Sequence, residues 1–325
     1  MWLRRITLCG MSPAQLPHSA PYTLRQIECF VSIAESGTIA AAAAALHASD
    51  SAVADAVTAL ERARGTTLLQ RQRARGATLT SDGLAMLPAA RRLLMQVEEI
   101  TATVGQGTMS LTGLVRVGAT ATLAPVVLAL LIAELRRVHP ELGLKLSVDD
   151  QPPLTEQLGD GNLDMLISYD IDAPPEFSRE ALYSTVACAV LSAEHPLATR
   201  RLIRLADLAD EPMVLLDIAP SRVHTLELMS SAGVTPRIAF RTENYELCRS
   251  LVGRGLGYSL LMWRDTPRET WDGGRVVFLP IHPTPREVSV LALWRPGHLS
   301  ARTAAVLGTL RGLASSFAGE PSFSR

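Results

Sequence analysis

Three arginines alternate along one short segment, at Arg71, Arg73 and Arg75. Guanidinium groups spaced this way on a loop suit phosphate oxygens or a minor groove, since each carries a permanent charge and several donors. Just upstream, Ser49, Asp50, Ser51, Ala54, Asp55 and Thr58 fall at or beside the outward face of one helical pattern. Small and polar groups on such a face can reach base edges in a major groove. A second set follows at Thr120, Thr122, Ser221 and Arg222, hydroxyls and a guanidinium at junctions of a strand and a helix. Backbone amides at a helix start, with such side chains beside them, suit a carboxylate or a phosphate. Tyr169 ends another strand pattern and Asn244 begins a helix, so both are expected at the same cleft. Ordinary helix capping is the competing explanation for each of these.

Other chemistry finds little support. GRGLGY, residues 253–258, follows a helix and precedes a strand, the wrong order for a dinucleotide site. His139 and His195 have no partners at ligand spacing. No catalytic residue, metal or cofactor is expected, and the chain does not look like an enzyme.

The elements that must position these residues can be read from spacing. LRQIECFVSIAE places Leu24, Ile27, Phe30, Val31 and Ala34 on one helix face, and Ser36-Gly37 ends it. Thr38 can cap a short alanine-rich helix, and His47-Ala48 makes a turn. Ser49 is a good N-cap for the third helix, with Asp50 in its first turn where the dipole favours an anion. Ala52, Val53, Ala56, Val57 and Leu60 form its expected inward stripe. A helix, a turn and a second helix with small residues at the crossing lays one helix in a major groove, although a plain helical bundle shares the pattern. LLQ and ATLT then flank the arginines as two strands of a wing. From Ser81 onward Leu87, Ala90, Leu94 and Val97 recur three and four apart, an a/d seam suited to a second copy. Packing of that helix on its own sensor part is the other possibility. Pro88 should disturb its first turns.

After a Gly/Ser/Thr-rich stretch the style changes to alternating strands and helices. The fold class expected is α/β with an all-α winged helix-turn-helix in front, the α/β part forming doubly wound sheets in two lobes. TVACAVLSAEHPLA and EPMVLLD read as strands, SRVHTLELMSSAG and ENYELCRSLVGRG as helices. The expected divisions are a leader at 1–21, the winged helix-turn-helix at 22–80, a linker helix at 81–106 and a hinge at 107–112. A sensor follows at 113–325, with lobe I at 113–185 and 280–325 and lobe II at 186–279.

With 325 residues the chain exceeds one ordinary core. A formal net charge of −1 gives no general pull toward nucleic acid, so any such contact must rest on local groups. Cys9, Cys29, Cys188 and Cys248 stand far apart, which argues for buried thiols rather than zinc or disulfides. The apolar run before Pro13 is too short for a secretory core, and Met11 offers an alternative start. No membrane and a cytoplasmic place are therefore expected.

The run LRQIECFVSIAESGTIAAAAAALHASDSAVADAVTALERARGTTLLQRQRARGATLTSDGLAML resembles the DNA-binding module of LysR-type transcriptional regulators. It keeps Phe30, Ala34, Gly37, Ala42-Ala43, Leu46-His47, Ser49, Ser51-Ala52, Leu60-Glu61, Leu68, Arg71, Leu79-Thr80 and Gly83. LVRVGAT, GNLDMLI, HPLA, LADLADEPMVLL and LVGRGLGYSLL extend the likeness over most of the chain. The resemblance implies a sensor like the periplasmic binding proteins, with a small, anionic effector in the cleft. It also implies double-stranded promoter DNA as partner, a homodimer formed by the linker helix, homotetramers through the sensors, and contact with RNA polymerase.

One departure stands out. Where the family often carries glutamine and basic or polar contacts, this chain has Asp50, Ala54 and Asp55. Carboxylates are repelled by phosphates, yet each can accept a hydrogen bond from cytosine N4. Either the operator is unusual, or the DNA-reading face has degraded and the protein acts through protein–protein association.

Overall fold

The computed structural model describes residues 21–72, 76–104, 111–262, 267–297 and 299–317. The chain divides into two compact units, Met1–Glu98 and Glu99–Arg325.

The first unit begins with α1 (Leu24–Ser36), capped by Thr23, whose side chain accepts from the Gln26 amide while Gln26 reaches back. Gly37 ends it at φ +74, a conformation that favours glycine. Thr38 caps α2 (Ile39–Ala45) and Ser49 caps α3 (Asp50–Arg64). Ile27, Phe30, Ile33, Val53, Val57 and Leu60 are fully buried, and Ala42 and Ala43 let the three helices approach closely. Each large side chain so buried contributes about 1.5–3 kcal/mol. Two antiparallel strands follow, β1 (Leu69–Gln72) and β2 (Gly76–Leu79), then the long α4 (Ser81–Val104), which runs through Pro88.

Within the second unit, lobe I is a five-stranded sheet in the order β4-β3-β5-β12-β6. Its strands are β3 (Gly113–Thr120), β4 (Leu142–Asp149), β5 (Met165–Tyr169), β6 (Ser178–Thr185) and β12 (Val288–Trp294). β3 pairs in parallel with β4 and β5, whereas β12 runs antiparallel to β5 and β6. The sheet is thus mixed rather than purely parallel. Helices α5 (Ala124–Val138) and α9 (Ala301–Phe317) cover one face, and α6 (Gln151–Gly159) covers the other. Every residue of β5 is buried, as expected of a strand covered on both sides.

Lobe II combines two smaller sheets. β7 (Ala187–Ser192) lies between β10 (Ser259–Met262) and β11 (Val276–Pro280), and β8 (Pro212–Leu216) pairs with β9 (Arg237–Thr242). Backbone bonds from Val214 to Tyr258 and from Tyr258 to Pro212 join the two. Helices α7 (Ser221–Ser231) and α8 (Tyr245–Gly253) pack on them. The chain passes between the lobes twice, after β6 and after β11. HPLA, expected to prolong a strand, is instead a 3-10 turn, Pro196–Thr199, capped by the His195 ring nitrogen. A proline there cannot donate to a ladder.

Candidate functional site

The exposed face of α3 carries Asp50, Ser51 and Asp55, while Ala54 and Thr58 are half-buried. Ser49 holds the helix start, its hydroxyl accepting from the Ala52 amide at 3.2 Å and lying 3.1 Å from the Ser51 hydroxyl. Thr58 donates its hydroxyl to the Ala54 carbonyl at 2.8 Å, so its proton is engaged by the helix itself. Ala52, expected in the inward stripe, is exposed. At 100° per residue it lies well off the arc set by Val53, Val57 and Leu60, and its methyl joins the outward face.

The wing is fastened by side chains named in the family-like run. The Glu61 carboxylate accepts the amides of Leu68 and Leu69 at 2.8 and 3.0 Å. Thr80 accepts the Gly83 amide at 3.0 Å and donates to the Thr67 carbonyl at 2.7 Å. The Ala77 amide reaches the Gly37 carbonyl at 2.8 Å. A Cβ on Gly76, at φ +88, would lie 2.4 Å from that same oxygen, so only glycine allows the approach. Arg71 sits in β1 opposite Ala77. Arg73, Arg75 and the side chain of Arg71 lie outside the described residues.

The seam expected along α4 is altered at its first two positions. Leu87 and Ala90 are buried in the core of their own unit, so a second copy cannot use them. Leu94 packs at the edge of that core and Val97 is half-buried. The head is small, and the first turns of α4 complete its interior.

In the second unit, α5 and α7 both begin without a side-chain cap. Thr122, Tyr169 and Ser221 line one small cavity between the lobes. It holds about 20 Å³, room for one water. His224, Thr225 and Tyr245 share its lining and were missed in the sequence. The first two follow Ser221 by one helical turn, which is the signal that could have found them. Thr120 is 5 % exposed and its hydroxyl makes no hydrogen bond. Burial, then the nearby Arg286, push the His224 imidazole below its usual range, which favours its neutral form.

Two expected residues do other work. Arg222 pairs with Asp217 at 2.9 Å, and Arg241 holds the other oxygen at 3.1 Å. Hydrogen bonds from these two guanidinium groups keep the Asp217 carboxyl below the ordinary carboxylate range, and Arg222 is not a lining residue of the cavity. Its partner arrives from the strand end five residues earlier, which helical spacing could not reveal. Asn244 is exposed and caps α8, accepting the Leu247 amide at 2.9 Å. The cleft edge is acidic. Burial, then Asp149 and Glu243, hold the Asp150 carboxyl above its usual value.

A winged helix-turn-helix ahead of a two-lobed sensor defines a class, the ligand-responsive DNA-binding regulators. Comparison with known proteins narrows it. Residues 24–84 match the family described as "Bacterial regulatory helix-turn-helix protein, lysR family", and residues 109–315 match the "LysR substrate binding domain". The chain belongs to the LysR family of transcriptional regulators, and the family's work is regulation rather than catalysis.

The chain is 30 % identical over 252 residues to a probable hydrogen peroxide-inducible genes activator of Mycobacterium avium, 76 % of this chain and 80 % of that one. HinK, a LysR family regulator from Pseudomonas aeruginosa, is 30 % identical with a TM-score of 0.60, covering 90 % of this chain and 99 % of its own. The C-terminal domain of a probable LysR family regulator from Rhodococcus sp. RHA1 is 38 % identical with a TM-score of 0.60, covering 62 % of this chain and 99 % of its own. Among the described residues no single helix is long and apolar enough to cross a membrane.

Proposed function

We propose that this regulator reads promoter DNA in the cytoplasm as a homodimer or homotetramer. The face of α3 lies in the major groove, and Arg71, Arg73 and Arg75 contact phosphates or the minor groove. The reading rests on one observation above all: Ser51 and Asp55 are exposed on α3 across from the buried stripe Val53, Val57 and Leu60, with Ala52 exposed on the flank. Asp50 or Asp55 accepts from cytosine N4, which makes the operator unusual for its family. Pairing of two copies uses what remains of the α4 seam, Leu94 and Val97, together with the sensors. RNA polymerase is the expected further partner at the promoter.

The effector is a small anion held at Thr122, Tyr169 and Ser221 by the starts of α5 and α7. The acidic edge at Asp149, Asp150 and Glu243 favours a single negative charge over several. Peroxide sensing, suggested by the mycobacterial relative's name, is not carried across. Cys29, Cys188 and Cys248 are buried, and burial pushes the Cys248 thiol up to about 11. Roughly one such thiol in ten thousand is ionised at pH 7, and the thiolate is the reactive form. Cys9 lies outside the described residues.

A gel-shift titration against the upstream intergenic DNA tests the DNA reading. Replacing Arg71, Arg73 and Arg75 with alanine should weaken binding to all sequences and lower the salt slope by roughly 0.9 per lost contact. Asp55→Ala should instead relax a cytosine preference in a binding-site selection, by about 1–3 kcal/mol at one position. A selection that returns no sequence preference favours the degraded face, with association between proteins as the working mode.

A further inference from the structure

A cavity of about 720 Å³ opens where the chain crosses between the lobes. Its walls are the turn after β5, the later part of α7, and the return segment Ile281–Arg286. The volume lies in the range of small-molecule sites. It is distinct from the cleft above, because His224 is the one residue lining both. Helical spacing explains that arrangement. His224, Glu227, Leu228 and Ser231 share one face of α7, while Ser221 sits at its start, so one helix serves as a wall to two chambers.

The lining divides by chemistry. Ile171, Leu205, Leu228 and Ile281 give apolar wall. Three carboxylates, Asp170, Asp172 and Glu227, line it together with one guanidinium, Arg286. Asp170 is fixed in place by the Ser289 amide at 3.1 Å. His224 feels Arg286, Glu227 and Asp170 together, which places these charges around one ring. The ring's buried Nε2 has no hydrogen-bond partner.

We propose that this crossover cavity is a second ligand site, and that it takes a small organic cation, an ammonium group on an apolar body. The ammonium lies among carboxylates contributed by both lobes, and the body lies against the apolar wall. Such a ligand touches the turn after β5, α7 and the return segment at once. It therefore braces the lobes against each other and biases their opening.

Calorimetric titration of the full chain with phenethylammonium chloride tests this, with phenylpropionate and phenethyl alcohol as the anionic and neutral counterparts. The ammonium should bind saturably at one site per chain, at least about tenfold tighter than either counterpart, since hydrogen bonds to charged groups are the strong ones. The double variant D172N/E227Q should weaken it by about tenfold or more, and R286A should tighten it. Asp172 and Glu227 are exposed, so the fold survives both changes. Equal binding of phenylpropionate, indifference to D172N/E227Q, or no saturable binding of the ammonium overturns the proposal. Asp172 and Glu227 do not line the cleft, so failure here leaves the anion site there untouched.

Discussion

Gly83→Ala strips most of the stability from the head, so that it melts early and loses DNA binding on mild warming while the sensor stays folded. In an exposed helix the same change would add about 1 kcal/mol of stability, because alanine is the better helix former. Gly83 is the third residue of α4, but it is buried against the wing. An added Cβ would lie 2.2 Å from the Leu68 carbonyl oxygen and 3.0 Å from a Leu79 methyl. The oxygen cannot simply retreat, since it accepts the Thr80 amide at 3.0 Å. Overpacking of this kind costs about 1–3 kcal/mol or more, and a lost hydrogen bond adds about 1. A domain of this size has roughly 5 kcal/mol in hand, so most of its stability goes. Thermal melting of the full chain followed by circular dichroism should show an early transition absent from the parent, and gel shifts should be lost above it. A head that melts later than the parent would mean that helix propensity wins and the contact is misplaced.

Arg249→Ala destabilises lobe II by about 3–5 kcal/mol, the usual cost of removing one partner of a buried ion pair. The Arg249 side chain is 5 % exposed and is paired with Glu246, itself 12 % exposed. Its fork also donates to the carbonyls of Pro267 and Glu269, tying α8 to the segment before β11. Glu246 in turn accepts the Trp271 amide at 2.9 Å. Truncation leaves a carboxylate and two carbonyls without their donor. Lysine would not restore them, since one ammonium cannot span three acceptors held in a planar fork. Denaturant titration of the full chain, followed by far-ultraviolet circular dichroism, should show the midpoint fall for alanine and recover only in part for lysine. A change under 1 kcal/mol would show that water already satisfies those groups.

What could be read from the sequence was local. Thr38, Ser49 and Asn244 cap helices because a side chain meets an amide three residues on, and Gly37 ends α1 by its own backbone freedom. The unread parts depend on partners far along the chain. β6, β9 and β11 carry exposed or half-buried positions and take their identity from β12, β8 and β7. Leu87 and Ala90 fit a seam by spacing, yet the head core claims them. Arg222 looked like part of an anion clamp until Asp217 was placed beside it. At the cleft, Thr122, Tyr169 and Ser221 were legible because strand ends and helix starts concentrate there, whereas Tyr245 enters only through the packing of α8.

The narrowness of the inter-lobe chamber has a kinetic meaning. If the effector site is the one proposed above, a space of about 20 Å³ admits no metabolite as it stands, so the lobes must part before capture. In stopped-flow mixing the observed rate should then level off at high effector concentration, at the frequency of parting, rather than climb in proportion. The switch would keep the tempo of its own breathing, however abruptly its signal arrived.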